Sequence, residues 1–515
     1  MSMDTFKKEH GQEPPGPRAM GWICTYQAMR DPDHPAITMG DRRLTRGELD
    51  AAANRLARAF EAHGVRQQHI VPVIVTEGLG IHLASFALWK LGATPLPLSG
   101  KLPAAELQTT LQLLKPSLVV GAQPGSLPGF RSIPHDVDTA VAASGSPLPE
   151  RIANHYKAIT SGGSTGRPKI IVDSHPSVFD PHEPMAALKM IVDDIILQPA
   201  AVYHNSAFAQ IHLGLCWGAH VIRMERFDPV EWLRLVELHK VRWAYMVPTM
   251  MSRIWKLPAE ERNRRDMSSL RVVLHTAAPC PPWLKRAWIE WLGPDRIYEI
   301  YSATEATGAT FIDGREWLEH PGSVGKPLGE MRILNEQHAP CAPGEVGEIF
   351  FRPPNGAGST YSYIGAESKR VGEWETLGDL GRVDEDGYLY IADRRTDLII
   401  SGGANIYPAE IESALEAHPD IAASAVVARP DADFGSRPHA ILEIRNDVSP
   451  PCAADLKSFL LERLASYKLP FSYELSSEPL RDAAGKLRRS SLRLSLETRL
   501  AAGERFSRLN GGDPA

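Results

Sequence analysis

A chain of 515 residues with 43% hydrophobic residues is too long for a single core and is expected to divide into at least two domains. Its 56 basic and 62 acidic residues are dispersed for a net charge of -6, which leaves no long basic run for nucleic acid or an anionic membrane. No span of about 20 apolar residues appears, Met1 to Pro17 has no apolar signal core, and the five cysteines form no C-x-x-C pair, so a cytoplasmic protein with reduced thiols is expected.

From Ala36 to about Val120, strand-type and helix-type runs alternate as in βαβ units. Thr45-Arg46-Gly47-Glu48 fits a capping box that opens a helix through Ala62. Ile70 to Val75 reads as a strand, Leu79 to Leu91 as a helix, Ala93 to Leu98 as a strand and Pro103 to Leu114 as a helix before the strand Leu118 to Val120. Gln123 to Glu150 is rich in Pro, Gly and Ser and reads as a surface connection.

The next stretch, Thr160 to Lys169, reads Thr-Ser-Gly-Gly-Ser-Thr-Gly-Arg-Pro-Lys and has the composition of a phosphate cradle. Gly162, Gly163 and Gly166 free the backbone to turn its N–H groups toward one point, Ser161, Ser164 and Thr165 add hydroxyls, and Lys169 adds charge. A Walker-type P-loop would need Gly-Lys followed by Ser or Thr at a helix mouth. Here Ile170-Ile171-Val172 follows, a β-branched run that favours a strand, so the loop is expected to join two strands.

Beyond it, Ala201 to Tyr203 reads as a strand, Phe208 to Gly218 as a helix, Val221-Ile222 as a strand and Pro229 to His239 as an amphipathic helix. Trp243 to Met246, Arg271 to His275 and Ile297 to Ile300 read as further strands of a parallel series, which places ligands at strand C-terminal ends. Thr276-Ala277-Ala278-Pro279 and Tyr301-Ser302-Ala303-Thr304-Glu305 lie at such ends. Gly322 to about Tyr390 changes to short strands and turns, as in a small β-barrel or distorted sheet. After the charged break at 394–397, Leu398 to Ile400 reads as a strand, Gly402-Gly403 as a turn, and Pro408 to Ala417 as a helix. Near the end, Arg481 to Lys486 forms a polar turn that displays a lysine.

Taken in order, these segments resemble the adenylate-forming superfamily: acyl-CoA synthetases, peptide-synthetase adenylation domains and beetle luciferases. The stretch 160–169 is similar to its phosphate loop, Tyr301 to Glu305 to its Tyr-Gly-x-Thr-Glu motif, Asp379 to the acid of its Thr-Gly-Asp motif, and Gly485-Lys486 to its C-terminal catalytic pair. The resemblance implies an α/β fold, in which a large N-terminal domain of parallel α/β subdomains carries a β-barrel-like part and a small mobile α+β domain follows. The implied division is 1–394, a hinge at 395–397 centred on Thr396, and 398–515. It also implies ATP, magnesium and coenzyme A as cofactors. ATP would meet the phosphate loop, Ala277, Ala278, Pro279, Tyr301, Ser302, Asp379 at the ribose diol, and Arg394. Thr304 would bond the α-phosphate, Glu305 would hold magnesium, and Lys486 would reach both carboxylate and α-phosphate. The chain departs from the family pattern at Gly162, Ser302, Leu480 and Asp482, none of which removes a charge the chemistry needs, and at Thr396, where a Lys or Asp is usual, so the resemblance supports a hinge there but not a charged one.

His204 stands where amino-acid-activating relatives carry an Asp and cannot pair an ammonium group with a fixed charge, so an α-amino acid is disfavoured. In acyl- and aryl-CoA ligases this position resembles a gate near the pantetheine tunnel, to which Gly402 and Gly403 would also belong; a core histidine is the alternative. Ala207, Phe208, Met246, Met250, Gly308 and Ala309 are the candidate acyl lining, apolar and partly small, which suits a bulky hydrophobic acid: a cyclic, steroid- or terpenoid-like, aryl or fatty one. CoA is the leading acceptor and a separate acyl carrier protein the second, for a monomer or homodimer. A luciferase-like oxygenase and a non-catalytic nucleotide-binding protein are the readings from other classes.

Overall fold

The structure, a computed structural model, describes residues 16–75, 78–135, 144–162, 168–181, 188–401, 404–431, 433–446, 448–482 and 485–509. Its central feature is a nine-stranded sheet in which the strands Pro35–Met39, His220–Arg223, Ile195–Gln198, Trp243–Met246, Val272–His275 and Ile297–Ser302 run parallel in that spatial order. Antiparallel strands close both edges. Trp243–Met246 and Val272–His275, in the middle of the sheet, are buried throughout, as parallel strands covered on both faces must be. Helices supply the cover, and Trp89, Trp232, Trp243 and Trp288 fill the core between the layers. The helix Arg46–Ala62 opens with the capping box read from the sequence, Thr45 and Glu48 bonding each other's backbone N–H.

A four-stranded parallel sheet forms from Thr94–Ser99, Ile70–Val75, Val119–Val120 and Ser132–Ile133. Ala158–Gly162 and Pro168–Asp173 pair antiparallel, Gly162 opposite Pro168, and Tyr361–Ile364 completes their three-stranded sheet. The phosphate-loop sequence therefore does join two strands. The 322–394 region contributes an antiparallel six-stranded sheet containing Gly347–Arg352, Asp379–Val383 and Leu389–Arg394.

One expected strand is displaced. Ala201 to Tyr203 form a turn, and the strand is Ile195–Gln198. Pro199 explains the shift, because it has no N–H to offer a sheet ladder and so ends the strand before it.

The strand Leu389–Arg394 ends one sheet and Ile399–Ser401 begins another. The small C-terminal part has its own six-stranded sheet and its own core around Ile399, Ile411, Leu415, Leu442, Leu456 and Leu460. Between them, Thr396 Oγ1 donates to Asp397 at 3.4 Å, and Arg489 bonds Asp397 at 3.0 Å and Glu412 at 2.6 Å. Among the described residues no helix is long and apolar enough to cross a membrane.

Candidate active site

The strand Ile195–Gln198 neighbours both His220–Arg223, reached next by the chain, and Trp243–Met246, reached after that on the opposite side. The strand order reverses there, which opens a crevice beyond the C-terminal ends of the two strands. His204 caps the helix Asn205–Cys216 on one side of the crevice, and Val247 caps the helix Pro248–Trp255 on the other. Proline at the first helical position suits that second start, since no intrahelical partner awaits its missing N–H. His204 Nε2 is buried without a hydrogen-bond partner among the described residues. Burial, and then the nearby Lys486 cation, pull its pKa down to about 4, so the ring is neutral at physiological pH.

Lys486 arrives from the small domain. Its turn is closed by Gly485 N donating to Asp482 O at 2.8 Å and Lys486 N donating to Asp482 Oδ1 at 3.0 Å. Gly485 takes φ +75°, and a Cβ on it would lie 2.8 Å from Thr249 Oγ1 and 3.2 Å from Val247 Cγ2. Both the conformation and the close approach require glycine. The turn is thus seated on the start of the Pro248–Trp255 helix, at the crevice.

Glu305, also buried, forms the second cluster. Its Oε1 accepts from Tyr363 Oη at 2.6 Å and from Lys169 Nζ at 3.2 Å, while Lys169 also donates to Tyr363 Oη at 2.8 Å. Thr360 Oγ1 anchors the Glu305 carbonyl at 2.9 Å. Burial first and Glu305 second push the Tyr363 phenol above its ordinary range, which keeps it a proton donor. Among the described residues no group of three or more His, Cys, Asp or Glu is placed to hold a metal ion. A single carboxylate suits magnesium, which keeps waters and substrate phosphates for its other positions.

Asp379 makes the third cluster, accepting from Tyr301 Oη at 2.6 Å. It opens its strand directly after Gly378, held at φ +84°, and its backbone pairs with Arg394. Tyr301 and Ser302 are still on the strand Ile297–Ser302, and the chain turns only at 303–307, bringing Thr304 and Glu305 off the sheet. Ala277 leaves the strand Val272–His275 at φ +77°, a conformation rarely open to a residue with a Cβ. Ala278 and Pro279 continue that turn.

Four of the candidate acyl residues, Ala207, Phe208, Met246 and Met250, share the large buried core. Phe208 is buried in a ring cluster with His212 at 4.2 Å and Trp89 at 6.0 Å, and Ala207 and Met246 are equally inaccessible. Met250 lies on the Pro248–Trp255 helix, buried within the large core. Gly308 is pressed against Phe351, whose ring would stand 2.2 Å from an added Cβ, and Ala309 begins the next strand. Gly163, Ser164, Thr165, Gly166, Gly402 and Gly403 lie outside the described residues, as do the side chains of Ser161 and Arg394; Gly162 is placed only as the last residue of its strand.

Residues 24–361 match the family model described as AMP-binding enzyme, and residues 410–486 match its C-terminal domain. The chain belongs to the AMP-binding enzymes. It is an adenylate-forming enzyme of the acyl-CoA synthetase branch, an acid–thiol ligase. The 2-succinylbenzoate–CoA ligase of Bacillus licheniformis is 30% identical over 90% of this chain and 97% of its own. The feruloyl-CoA synthase of an Amycolatopsis species is 31% identical over 91% and 97%. Among solved structures, o-succinylbenzoate CoA synthetase from Bacillus subtilis in complex with its acyl-adenylate intermediate superposes with a TM-score of 0.79, at 28% identity over 93% of this chain and 99% of that one.

In this AMP-binding enzyme, Tyr363 and Thr360 touch Glu305 although no motif in the sequence marks them. Tyr363 meets Glu305 across 58 positions. The one local sign was its alternation with Tyr361 on a short β-type run beside the phosphate hairpin.

Proposed function

We propose that the enzyme activates a carboxylic acid with ATP and passes the acyl group to coenzyme A. A carboxylate oxygen attacks the α-phosphorus, the bond to the β-phosphate breaks, and pyrophosphate leaves. The thiolate sulfur then attacks the acyl carbon, and AMP leaves with the carboxylate oxygen. The observation that carries this reading is the seating of the Lys486 turn on Val247 and Thr249, with its cation acting on His204 at the crevice.

The first step gathers anions, so fixed cations and donors must stabilise charge rather than move protons. Lys486 supplies a point charge at the carboxylate and the α-phosphate, and Thr304 a hydroxyl. Lys169, at the end of the phosphate hairpin, faces the leaving pyrophosphate. Glu305 is the residue that would hold magnesium, which when bound shields the phosphate charges. Asp379, oriented by Tyr301, receives the ribose hydroxyls. His204, neutral and unbonded at Nε2, stands as the gate where the acyl and thiol paths meet. We assign the hinge to 395–397.

For substrate we favour a bulky aryl or cyclic hydrophobic acid, in keeping with the aromatic acids named for both relatives. ATP–pyrophosphate exchange with 2-succinylbenzoate, ferulate, benzoate, a fatty acid and a terpenoid acid tests this. Exchange with at least one aromatic or cyclic acid is expected, and exchange with none would overturn the reading. Offering CoA and a phosphopantetheinylated carrier protein to the adenylate, with thioester detected by mass, decides the acceptor; CoA is expected.

A further inference from the structure

The helix Pro248–Trp255 carries the Lys486 turn at its first residues and Lys256 as its C-terminal cap. A lysine at that place ordinarily serves its own helix's last carbonyls. Here Lys256 Nζ crosses to the small domain and donates to Ile421 O at 2.8 Å and Ala422 O at 3.1 Å. These carbonyls are presented by an irregularity: the ladder between Ile421–Asp431 and Gly435–Ile444 shifts register between Ile421 and Ala423. A bulge removes its extra residue from the ladder and turns its polar groups outward. The small domain returns the contact, because Arg445 Nη2 donates to Lys256 O at 3.1 Å and Arg445 Nη1 to Pro419 O at 3.2 Å. Each domain thus gives one cation to the other's backbone, or to the turn that receives it.

A chain of side-chain bonds ties the bulge to the Lys486 turn. Glu416 Oε1 accepts from Ser424 N at 3.1 Å and from Arg481 Nη2 at 2.8 Å, and Arg481 Nη1 donates to Gly485 O at 3.2 Å. A cleft lined by Thr249, Ser252, Trp283, Glu416, Ala422 and Arg481 separates the two domains along the helix. Direct contacts hold at its two ends, about 12 Å apart for eight residues rising about 1.5 Å each.

We propose that Lys256, with Arg445, is a positioning residue for adenylation: a clasp that fixes the small domain so that Lys486 stands at the crevice. Backbone acceptors make it selective for one orientation, since any turn of the small domain about 395–397 breaks all of these bonds together. The clasp acts in the adenylate-forming step and is released for thioester formation, so it rests on the two-step reading above.

Spin labels on Leu238→Cys and Leu494→Cys, both exposed positions, in a Cys452→Ser background, report the domain orientation of the ligand-free full chain. One dominant distance, that of the docked orientation, is expected with Lys256 present. Lys256→Met and, independently, Arg445→Met should each cut the docked-to-undocked ratio about 10-fold, the size of one charge-assisted hydrogen bond, and Lys256→Arg should restore most of it. An unchanged distribution in both methionine variants, or an undocked parent, overturns the clasp. With an acid that supports exchange, Lys256→Met should slow pyrophosphate exchange about 10-fold while thioester formation from supplied acyl-adenylate is kept; equal loss of both steps also overturns it. Exchange with no acid in the parent chain would instead defeat the reaction assignment and leave the distance result standing.

Discussion

Glu305 and Lys486 are held in place by different means. Glu305 comes from the large domain with its contacts already made: Tyr363 and Lys169 hold its carboxylate and Thr360 its backbone, each from a strand or its edge. Lys486 comes on a short turn of another domain, seated where glycine lets its backbone approach the Thr249 and Val247 side chains and steadied by the clasp at the far end of the same helix. One cluster is fixed within its own domain, and the other depends on a contact between domains. On the proposed mechanism the difference would separate ground-state binding of nucleotide from the charge supplied only during adenylation, and each substitution below should fall on one side of that line.

The largest effect is expected at Lys486→Ala, which should lower pyrophosphate exchange about 1,000-fold by removing a positioned charge. Thioester formation from supplied acyl-adenylate should survive, which sharpens the contrast; loss of both steps would break it. Glu305→Gln should follow with about a 100-fold loss in kcat, measured with a steeper dependence on magnesium concentration. Asp379→Asn should raise the KM for ATP about 10-fold with kcat largely kept, the pattern of uniform binding. Tyr363→Phe, which removes one donor and no charge, should cost only a few-fold in exchange rate.

Acid should also divide the regions, with no effect at neutral pH. His204 and His275 have pKa values depressed to about 4 and His212 to about 3, burial being the first cause in each, against 6.5 in the unfolded chain. Depressed values mean their contribution is full above pH 6.5 and is lost as pH falls toward 4. All three lie in the large domain. In the small domain burial is outweighed at Glu474 by bonds from His439 and Arg499, which hold it at about 2, so its contribution is lost only below pH 4.5. Calorimetry at pH 5 should show the large domain's transition shifted down further than that of the small one. The buried His439, its own pKa lowered by burial, narrows that gap.

Local chemistry was legible where neighbours in sequence decide the structure. The capping box at Thr45, the proline-started helices and the strand–loop–strand setting of 160–169 follow from residues a few positions apart. The error at 201–203 has the same scale: Pro199 was the sign, and the strand lies before it. Phe208 suits a pocket by type, yet four residues on stands His212, on the same helical face, and both turn into the core. Tyr363 and Lys256 were illegible because their partners lie 58 and 165 positions away, and no local pattern specifies a contact made by two elements meeting in space. The order of the family motifs carried what periodicity could not.

Tyr363 and Lys169 share a single oxygen of Glu305, so this carboxylate has a cation beside it before any ligand arrives. On the proposed role of Glu305, a divalent ion bound there would compete with Lys169 for that oxygen. Displaced from Glu305, Lys169 would then be left to pair with a phosphate, so the proposed metal and nucleotide sites would be coupled through one shared lysine.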